Sequence, residues 1–276
     1  MEPFLLSLEG KDEQRASIPH RAKRKLRLFL QGHLRCFQLA LSLVEGKRGI
    51  EIGGPSDVFQ GWRTPSRTYG LVKPLPIYDR VASLDNCNFS SKTIWATHDE
   101  SYRFSPQRAP GKVIIADGSE LFPVANSSYD FVLSSHNLEH FANPVKALKE
   151  WKRITRAKGA LILVLPDYRR TFDHRRKPTP VEHMLEDYAR NVGEDDATHV
   201  SEVLALHDLY LDGTLKTHSI AELRSRSLDN LSNRCLHHHV FDEVNSVQLL
   251  GEVGLEILAV ERALPYHIVI CSRWKD

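Results

Sequence analysis

The chain has 276 residues, a formal net charge of +2, 41% hydrophobic and 26% charged residues, which suits one large globular domain or one domain with an insert. The near-neutral charge gives no indication of a nucleic-acid partner, and no apolar run approaches the roughly 20 residues of a membrane span. Its four cysteines form no CxxC pair, so we expect no zinc knuckle, no disulfide framework and a reducing, cytoplasmic location.

An N-terminal extension, residues 1–45, precedes the first predicted strand. Apolar residues three and four apart predict a helix over 19–45; they are Leu26, Leu30, Leu34, Phe37, Leu41 and Val44. A basic cluster over 21–27 begins this helix, and we interpret it as a solvated face in preference to a contact with an anionic surface.

Five short apolar segments predict strands, at 49–53, 80–85, 112–118, 129–136 and 160–167. An amphipathic helix is predicted over 143–159, with Pro144 at its start and Gly159 at its end. Further along, a helix over 244–254 precedes two strands, 255–264 and 266–274, which we expect to pair as an antiparallel hairpin. The alternation of strands and helices predicts an α/β fold with a doubly wound, parallel, Rossmann-like sheet.

Residues 168–240 are too many for a plain connection in such a fold, so they predict an inserted, mostly helical subdomain over the carboxyl ends of the strands. This insert holds eight of the fourteen histidines. The core then comprises 46–167 and 241–276.

Small or polar residues end the predicted strands in chain order. Strand one runs into "EIGG", with Glu51, Gly53 and Gly54; strand two ends at Asp85, with Asp79 as the second choice. Strand three ends at Asp117-Gly118 and strand four at "SSHNLEH". Glycine lets a ligand approach the backbone, and an acid after strand two is suited to a ribose.

The run from Asp117 to Asp167 resembles the class I S-adenosylmethionine-dependent methyltransferases, in particular methyltransferase type 11. The residues that carry the resemblance are Asp117, Leu121, Pro123, Ser128, Asp130, Val132, Leu138-Glu139-His140, Pro144, Ala147, Leu148, Glu150 and Arg153. It covers 48–167 well and the two terminal strands loosely. Pro55 and Asp57 stand where the family has further glycines after Gly53.

The resemblance implies a seven-stranded sheet in the order 3-2-1-4-5-7-6, with strand seven antiparallel, and S-adenosylmethionine as cofactor. It implies that the methionine part is held by Glu51, Gly53 and Gly54, the ribose by Asp85, the adenine by Asp117 and Gly118, and the sulfonium side by Ser135 and His136.

Methyl transfer to oxygen or nitrogen often needs a base, and the candidates are His136, His174 and Asp167. In the insert, His199, Glu202 and His207 are the nearest approach to a metal-ligand set. Their spacing matches no metal motif, so we favour a hydrogen-bonded network and predict no metal.

The sequence therefore predicts a methyltransferase acting on a small-molecule or glycan- or nucleotide-linked acceptor, without nucleic acid or a membrane span. The basic segment "YRRTFDHRRKP" suggests an anionic acceptor if its arginines are not paired with acids of the insert. Two alternatives stay open: a non-catalytic binding or scaffold protein on the same fold, and a metal-dependent enzyme centred on the His-rich insert.

Overall fold

A computed structural model describes residues 34–61, 74–93, 101–212 and 219–275, so most of the predicted N-terminal helix and its basic cluster lie outside the described residues. Eight strands form one sheet. They are β1 (Arg48–Ile52), β2 (Ser83–Asn88), β3 (Ser101–Tyr102), β4 (Gly111–Ile115), β5 (Tyr129–Ser135), β6 (Thr155–Pro166), β7 (Leu255–Ala263) and β8 (His267–Trp274).

The strand order confirms the predicted fold class. From edge to edge it is β3-β4-β2-β1-β5-β6-β8-β7. Neighbouring strands from β4 to β6 are parallel, whereas β8 runs antiparallel to both β6 and β7. Without β3, numbering the strands in chain order gives the predicted 3-2-1-4-5-7-6. The additional β3 is a two-residue antiparallel edge strand, too short for its pattern to mark it in the sequence.

Seven α-helices lie among the described residues: α1 (Phe37–Val44), α2 (Pro144–Ile154), α3 (Val181–Ala189), α4 (Val200–Leu206), α5 (Ile220–Leu228), α6 (Asn230–Asn233) and α7 (Glu243–Glu252). Four of them, α3 to α6, lie between β6 and α7, within the predicted insert 168–240. The domain boundaries drawn around that insert stay a prediction. No helix of the described part of the chain has the length and apolarity to cross a membrane.

Hydrophobic side chains cover both faces of the sheet. One face packs against α2 and α7 through Trp151 and Leu249, and the other against α1 through Ala40 and Val44. Residues 160–165 of β6 are buried without interruption, as a strand covered on both sides requires. The insert adds a small core of its own around Val203 and Leu223.

Several predicted boundaries differ from the structure, and two of them have a clear local cause. Strand β2 begins three residues later than expected, because Tyr78–Arg80 form a 3-10 turn in front of it. Helix α2 ends at Ile154 instead of continuing to Gly159, because Thr155 is already extended and its hydroxyl donates to the Trp151 carbonyl at 2.6 Å. Residues 155–159 then form the beginning of β6.

Candidate functional site

The carboxyl ends of the parallel strands meet at one edge of the sheet. There, β1 leads into Gly53, β2 ends at Asn88, β4 leads into Asp117 and β5 leads into His136. The antiparallel β8 starts at the same edge, since His267 pairs with Pro166 at the end of β6. This is the edge at which open α/β sheets bind ligands.

A cleft of about 380 Å³, open to solvent, lies at this edge. Its floor and walls are formed by Ile52, Gly53, Cys87, Asn88, Phe89, Asp117, Gly118, Asn137, His140, Phe141, Glu194 and Arg234. Three of the predicted cofactor residues, Gly53, Asp117 and Gly118, therefore line one cleft.

Two glycines keep the cleft open. Gly53 has a φ of +83°, and a Cβ there would lie 2.8 Å from the Asn137 carboxamide carbon. A Cβ on Gly118 would lie 2.8 Å from Phe141 Cζ and 2.9 Å from Ile52 Cγ2. Side chains at either position would fill space that a ligand needs.

A buried polar atom faces the same space. Asn137 Nδ2 has no hydrogen-bond partner among the described residues, although the residue lines the cleft. Burying an unpaired amide donor is unfavourable, so a ligand acceptor at this position would remove the cost. The open space at Gly53 and Gly118 suits a planar ring, and the Asn137 amide suits a polar group, as an adenosyl cofactor would supply.

Arg234, from the insert, forms the roof of the cleft. Its guanidinium pairs with Asp117 Oδ2 and with Glu194 Oε2, both at 3.0 Å, and lies 5.6 Å from the centre of the Phe89 ring. Asp117 Oδ1 accepts hydrogen bonds from the Ser119 amide and hydroxyl at 2.8 Å. The insert thus contacts the predicted adenine position directly.

Glu51 does not line the cleft but is buried beneath the loop that follows β1. It is fully buried, and Tyr78 donates to its Oε2 at 2.6 Å, while Tyr102 donates to the same oxygen. Tyr78 also accepts from the Ser56 amide at 2.8 Å, and so ties the "GGPSD" loop to Glu51. Burial raises the pKa of Glu51 to about 7.

The structure corrects the position predicted for Asp85. The β2 strand ends at Asn88, so Asp85 lies within the strand and its carboxylate accepts from Arg48, Tyr129 and the Lys112 amide. Asp79 lies elsewhere too, accepting from Ser105 at 2.7 Å. Asn88 occupies the strand end instead, and its amide donates to the Gly54 carbonyl at 3.2 Å.

Part of the family motif fixes the loop that follows Asp117. Glu150 of α2 accepts from the Leu121 amide at 2.6 Å and from Arg153. Arg153 in turn donates to the carbonyls of Leu121 and Val124 at 2.9 and 2.8 Å. These residues hold the loop between β4 and β5 against α2, which keeps Asp117 and Gly118 in place.

A second group of titratable side chains lies beside the cleft, after β5. His136 Nε2 is 2.7 Å from His267 Nδ1, and His136 Nδ1 is 3.8 Å from Glu139 Oε1. Burial lowers the pKa of His136 to about 3 and raises that of Glu139 to about 7. Neither Glu139 oxygen has a hydrogen-bond partner among the described residues. The proton of this group therefore resides on Glu139 below neutral pH.

The other predicted site residues do not line the cleft. Ser135, the last residue of β5, is buried. Asp167 is buried after β6 and accepts from Arg169 at 2.7 Å. His174 is exposed and 3.0 Å from Asp208 Oδ2.

The predicted metal candidates separate in the structure. Glu202 accepts from the buried Arg176, and His207 lies 3.0 Å from Asp212. His199 alone remains in a histidine-rich cluster, with partners that sequence reasoning did not select. The sequence did not identify five further residues at the site, because contacts between distant segments bring them there: Asn88, Asn137, Glu139, Glu194 and Arg234. Of these, Glu139 belongs to the "LEH" motif of the family resemblance.

The sheet order defines a Rossmann-like α/β fold with the strand order predicted for class I methyltransferases. Residues 78–163 match a family model described as "Methyltransferase domain". The resemblance predicted from the sequence is thereby confirmed over these residues. No curated protein matches the chain.

Three solved structures are similar to this chain at low sequence identity. A SAM-dependent methyltransferase from Aquifex aeolicus is 12% identical with a TM-score of 0.42, and covers 86% of each chain. One from Mesorhizobium loti is 14% identical with a TM-score of 0.47, over 86% of this chain and 95% of that one. One from Methanosarcina mazei is 13% identical with a TM-score of 0.45, over 88% and 99%.

Proposed function

We propose that this protein is an S-adenosylmethionine-dependent methyltransferase that acts on a small acceptor through oxygen or nitrogen. The observation that carries the proposal is the cleft at the carboxyl edge, where Gly53, Asn88, Asp117, Gly118 and Asn137 converge. The match of residues 78–163 to the methyltransferase domain family supports the same function.

Different residues of the cleft would contact different parts of the cofactor. Asp117 and the Gly118 surface fit an adenine, Asn88 replaces Asp85 as the candidate for the ribose, and Gly53 with Asn137 fits the methionine part. Bound there, S-adenosylmethionine supplies a methyl group already activated by its sulfonium. The protein then has to align the acceptor, exclude water and remove one proton from it.

Glu139 and His136 support the proton-removal step. His136 is neutral near pH 7 and has 27% of its side chain exposed, so it can meet an acceptor hydroxyl or amine. Glu139 lies behind it with a pKa of about 7, close to the optimum for a general base at neutral pH. In this scheme Glu139 is the general base that takes the acceptor's proton as the methyl group forms its new bond, and His136, whose two ring nitrogens face His267 and Glu139, orients the acceptor.

The charge around the site restricts the acceptor. In the basic segment after β6, Arg169 pairs with Asp167 and Glu243, Arg175 with Asp208, and Arg176 with Asp173 and Glu202. An anionic acceptor, such as a nucleotide-linked glycan, is therefore supported only by the exposed Arg170 and Lys177. We propose a neutral or weakly charged small molecule first.

Methyl transfer from labelled S-adenosylmethionine into a small-molecule cell extract tests this function. Glu139 must be ionised to accept a proton, and its raised pKa means that it loses its own proton only near pH 7. The rate should therefore rise between pH 6 and pH 8 and level off above that. The Glu139→Gln variant should be about 10²–10⁴-fold slower and lose this rise.

Glu256→Gln, the same substitution at an exposed position of β7, serves as the control and should keep both rate and pH profile. Transfer by Glu139→Gln at the wild-type rate would remove Glu139 from the mechanism. Absence of both transfer and S-adenosylhomocysteine binding at millimolar ligand would instead favour the scaffold alternative.

A further inference from the structure

Four side chains of the insert converge about one point. His183 and Asp187 stand one turn apart on the same face of α3, His199 precedes the first residue of α4, and His239 belongs to the segment before α7. Each offers one ligand atom, and the four atoms all lie within 4.8 Å of one another. Three segments far apart in sequence thus bring three imidazoles and one carboxylate together.

The distances approach those of a tetrahedral metal site. His183 Nε2 is 3.1 Å from His199 Nε2 and 3.4 Å from Asp187 Oδ2, and His239 Nε2 is 3.7 Å from the same oxygen. Zinc–ligand bonds of about 2.0–2.1 Å place the ligands of a tetrahedron about 3.3 Å apart. Bringing the most separated of the four atoms, which lie within 4.8 Å of one another, to that spacing would complete the coordination shell.

Hydrogen bonding satisfies this cluster only in part, since His183 Nε2 and His199 Nε2 share one hydrogen bond. Asp187 Oδ2 and His239 Nδ1 are buried without a hydrogen-bond partner among the described residues, and Asp187 is only 5% exposed. The His239 Nε2 atom lies at a long 3.3 Å from the Ala142 carbonyl. A buried carboxylate oxygen without a donor is costly, and a cation bound between these groups would remove that cost.

The surroundings suit a metal as well. Burial lowers the pKa values of His199 and His239, which favours the neutral imidazole that binds metal. His183 and His199 are half-buried, so solvent reaches one side of the cluster and an ion can enter. Imidazole together with carboxylate suits divalent first-row ions, of which zinc takes four such ligands without an open position.

The residues Glu139, His140 and His237 form a second cluster of possible ligands, beside the cleft. There His237 Nδ1 already contacts the Asp173 carboxylate at 2.6 Å, and the Leu236 carbonyl lies 3.2 Å from His140 Nδ1. The four-residue cluster is the better supported because it offers four ligand atoms, the number that a tetrahedral shell requires, whereas the second cluster offers three.

We propose that His183, Asp187, His199 and His239 bind one divalent transition-metal ion, Zn²⁺, which fixes α3, α4 and the segment before α7 to one another. The site is structural, since four protein ligands fill a tetrahedral shell. The same segment carries His238, whose Nε2 lies 3.9 Å from the Glu194 carboxylate beneath Arg234. The ion would thus hold the roof of the cleft, and the proposal stands independently of which cofactor the cleft takes.

Metal analysis of the full chain, freed of any affinity tag, tests the proposal. After treatment with a chelator and titration with Zn²⁺, we expect one tightly bound Zn²⁺ per chain and a melting temperature that rises on binding. Outer-shell changes alone cost about 10–100-fold in metal affinity, so His183→Gln and Asp187→Asn should each weaken Zn²⁺ binding about 100-fold or more. His183 is half-buried and on the insert surface, so its variant is the one expected to keep the fold.

The control variant His174→Ala removes an exposed histidine of the same insert, paired with Asp208, and should still bind one Zn²⁺. Anomalous diffraction at the zinc absorption edge gives a second measurement that needs no variant: a peak between the four side chains supports the site. Three results would each overturn the proposal. They are a Zn²⁺ dissociation constant weaker than micromolar for the wild-type chain, Zn²⁺ binding by Asp187→Asn at the wild-type affinity, and an anomalous peak elsewhere.

Discussion

Replacing Gly118 by valine is expected to weaken binding of S-adenosylhomocysteine about 100-fold or more, a change of roughly 2.8 kcal/mol at about 1.4 kcal/mol per tenfold. A Cβ at this position already lies 2.8 Å from Phe141 and 2.9 Å from Ile52, both of which line the cleft. The two further methyl groups of valine must then enter the space assigned to the adenine. Isothermal titration calorimetry measures the loss directly.

The matched control is Gly251→Val, because the same substitution in α7 meets nothing within 4 Å. This variant should bind the ligand like the wild-type chain. Circular dichroism and thermal melting establish that Gly118→Val is folded, since overpacking against Phe141 and Ile52 is expected to cost about 1–3 kcal/mol of stability. Equal affinity of the two variants would show that the ligand does not use this cleft.

Replacing Arg176 by methionine is expected to lower the free energy of unfolding by about 3–5 kcal/mol. The guanidinium is fully buried, pairs with Asp173 at 3.0 Å and Glu202 at 3.1 Å, and donates to the carbonyls of His237 and His238. Without it, the 3%-exposed Asp173 loses its guanidinium partner and keeps only the His237 imidazole. Urea denaturation provides the measurement.

Its neighbour Arg175 provides the control, because 48% of that side chain is exposed and it pairs with Asp208 at the surface. Exposed pairs contribute about 0–1 kcal/mol, so Arg175→Met should change stability by no more than that. If the two methionine variants had the same unfolding midpoint, Arg176 would not be the residue that joins the insert to the segment around His237.

The parts of the fold that follow from local periodicity could be predicted from the sequence. The apolar run 160–167 and the hairpin around Pro265 both correspond to observed strands, β6 and the β7–β8 pair. Each is an apolar or alternating segment bounded by polar or turn residues, and the signal lies within a few neighbouring positions. The strand order does not follow from local periodicity, and its prediction depended on the family resemblance.

Strand β2 illustrates why a short boundary error matters for a site. Its predicted end at Asp85 differs from the observed end at Asn88 by three residues. Because successive residues of a strand point to opposite faces and advance along it, the shift exchanges a carboxylate for a carboxamide at the strand end. Asp85 instead pairs with Arg48, a contact across 37 positions that no local pattern reports.

The roof of the cleft could not be predicted for a related reason. Arg234 adopts a φ of +53° after α6 and crosses from the insert to Asp117, 117 positions earlier in the chain. Closeness along the chain likewise selected His199, Glu202 and His207, yet Arg176 and Asp212 pair with the last two. Tertiary packing decides which histidines and carboxylates meet.

A crystal structure of the protein with S-adenosylhomocysteine tests the central claim most directly. We expect the adenine beside Asp117 and Gly118, the ribose at Asn88, and the sulfur on the side of Asn137 and His136, with Arg234 either displaced or closed over the ligand. Density for the ligand at any other place, or a cleft that stays empty of it at saturating concentration, would contradict the proposed cofactor site and the methyltransferase function that rests on it.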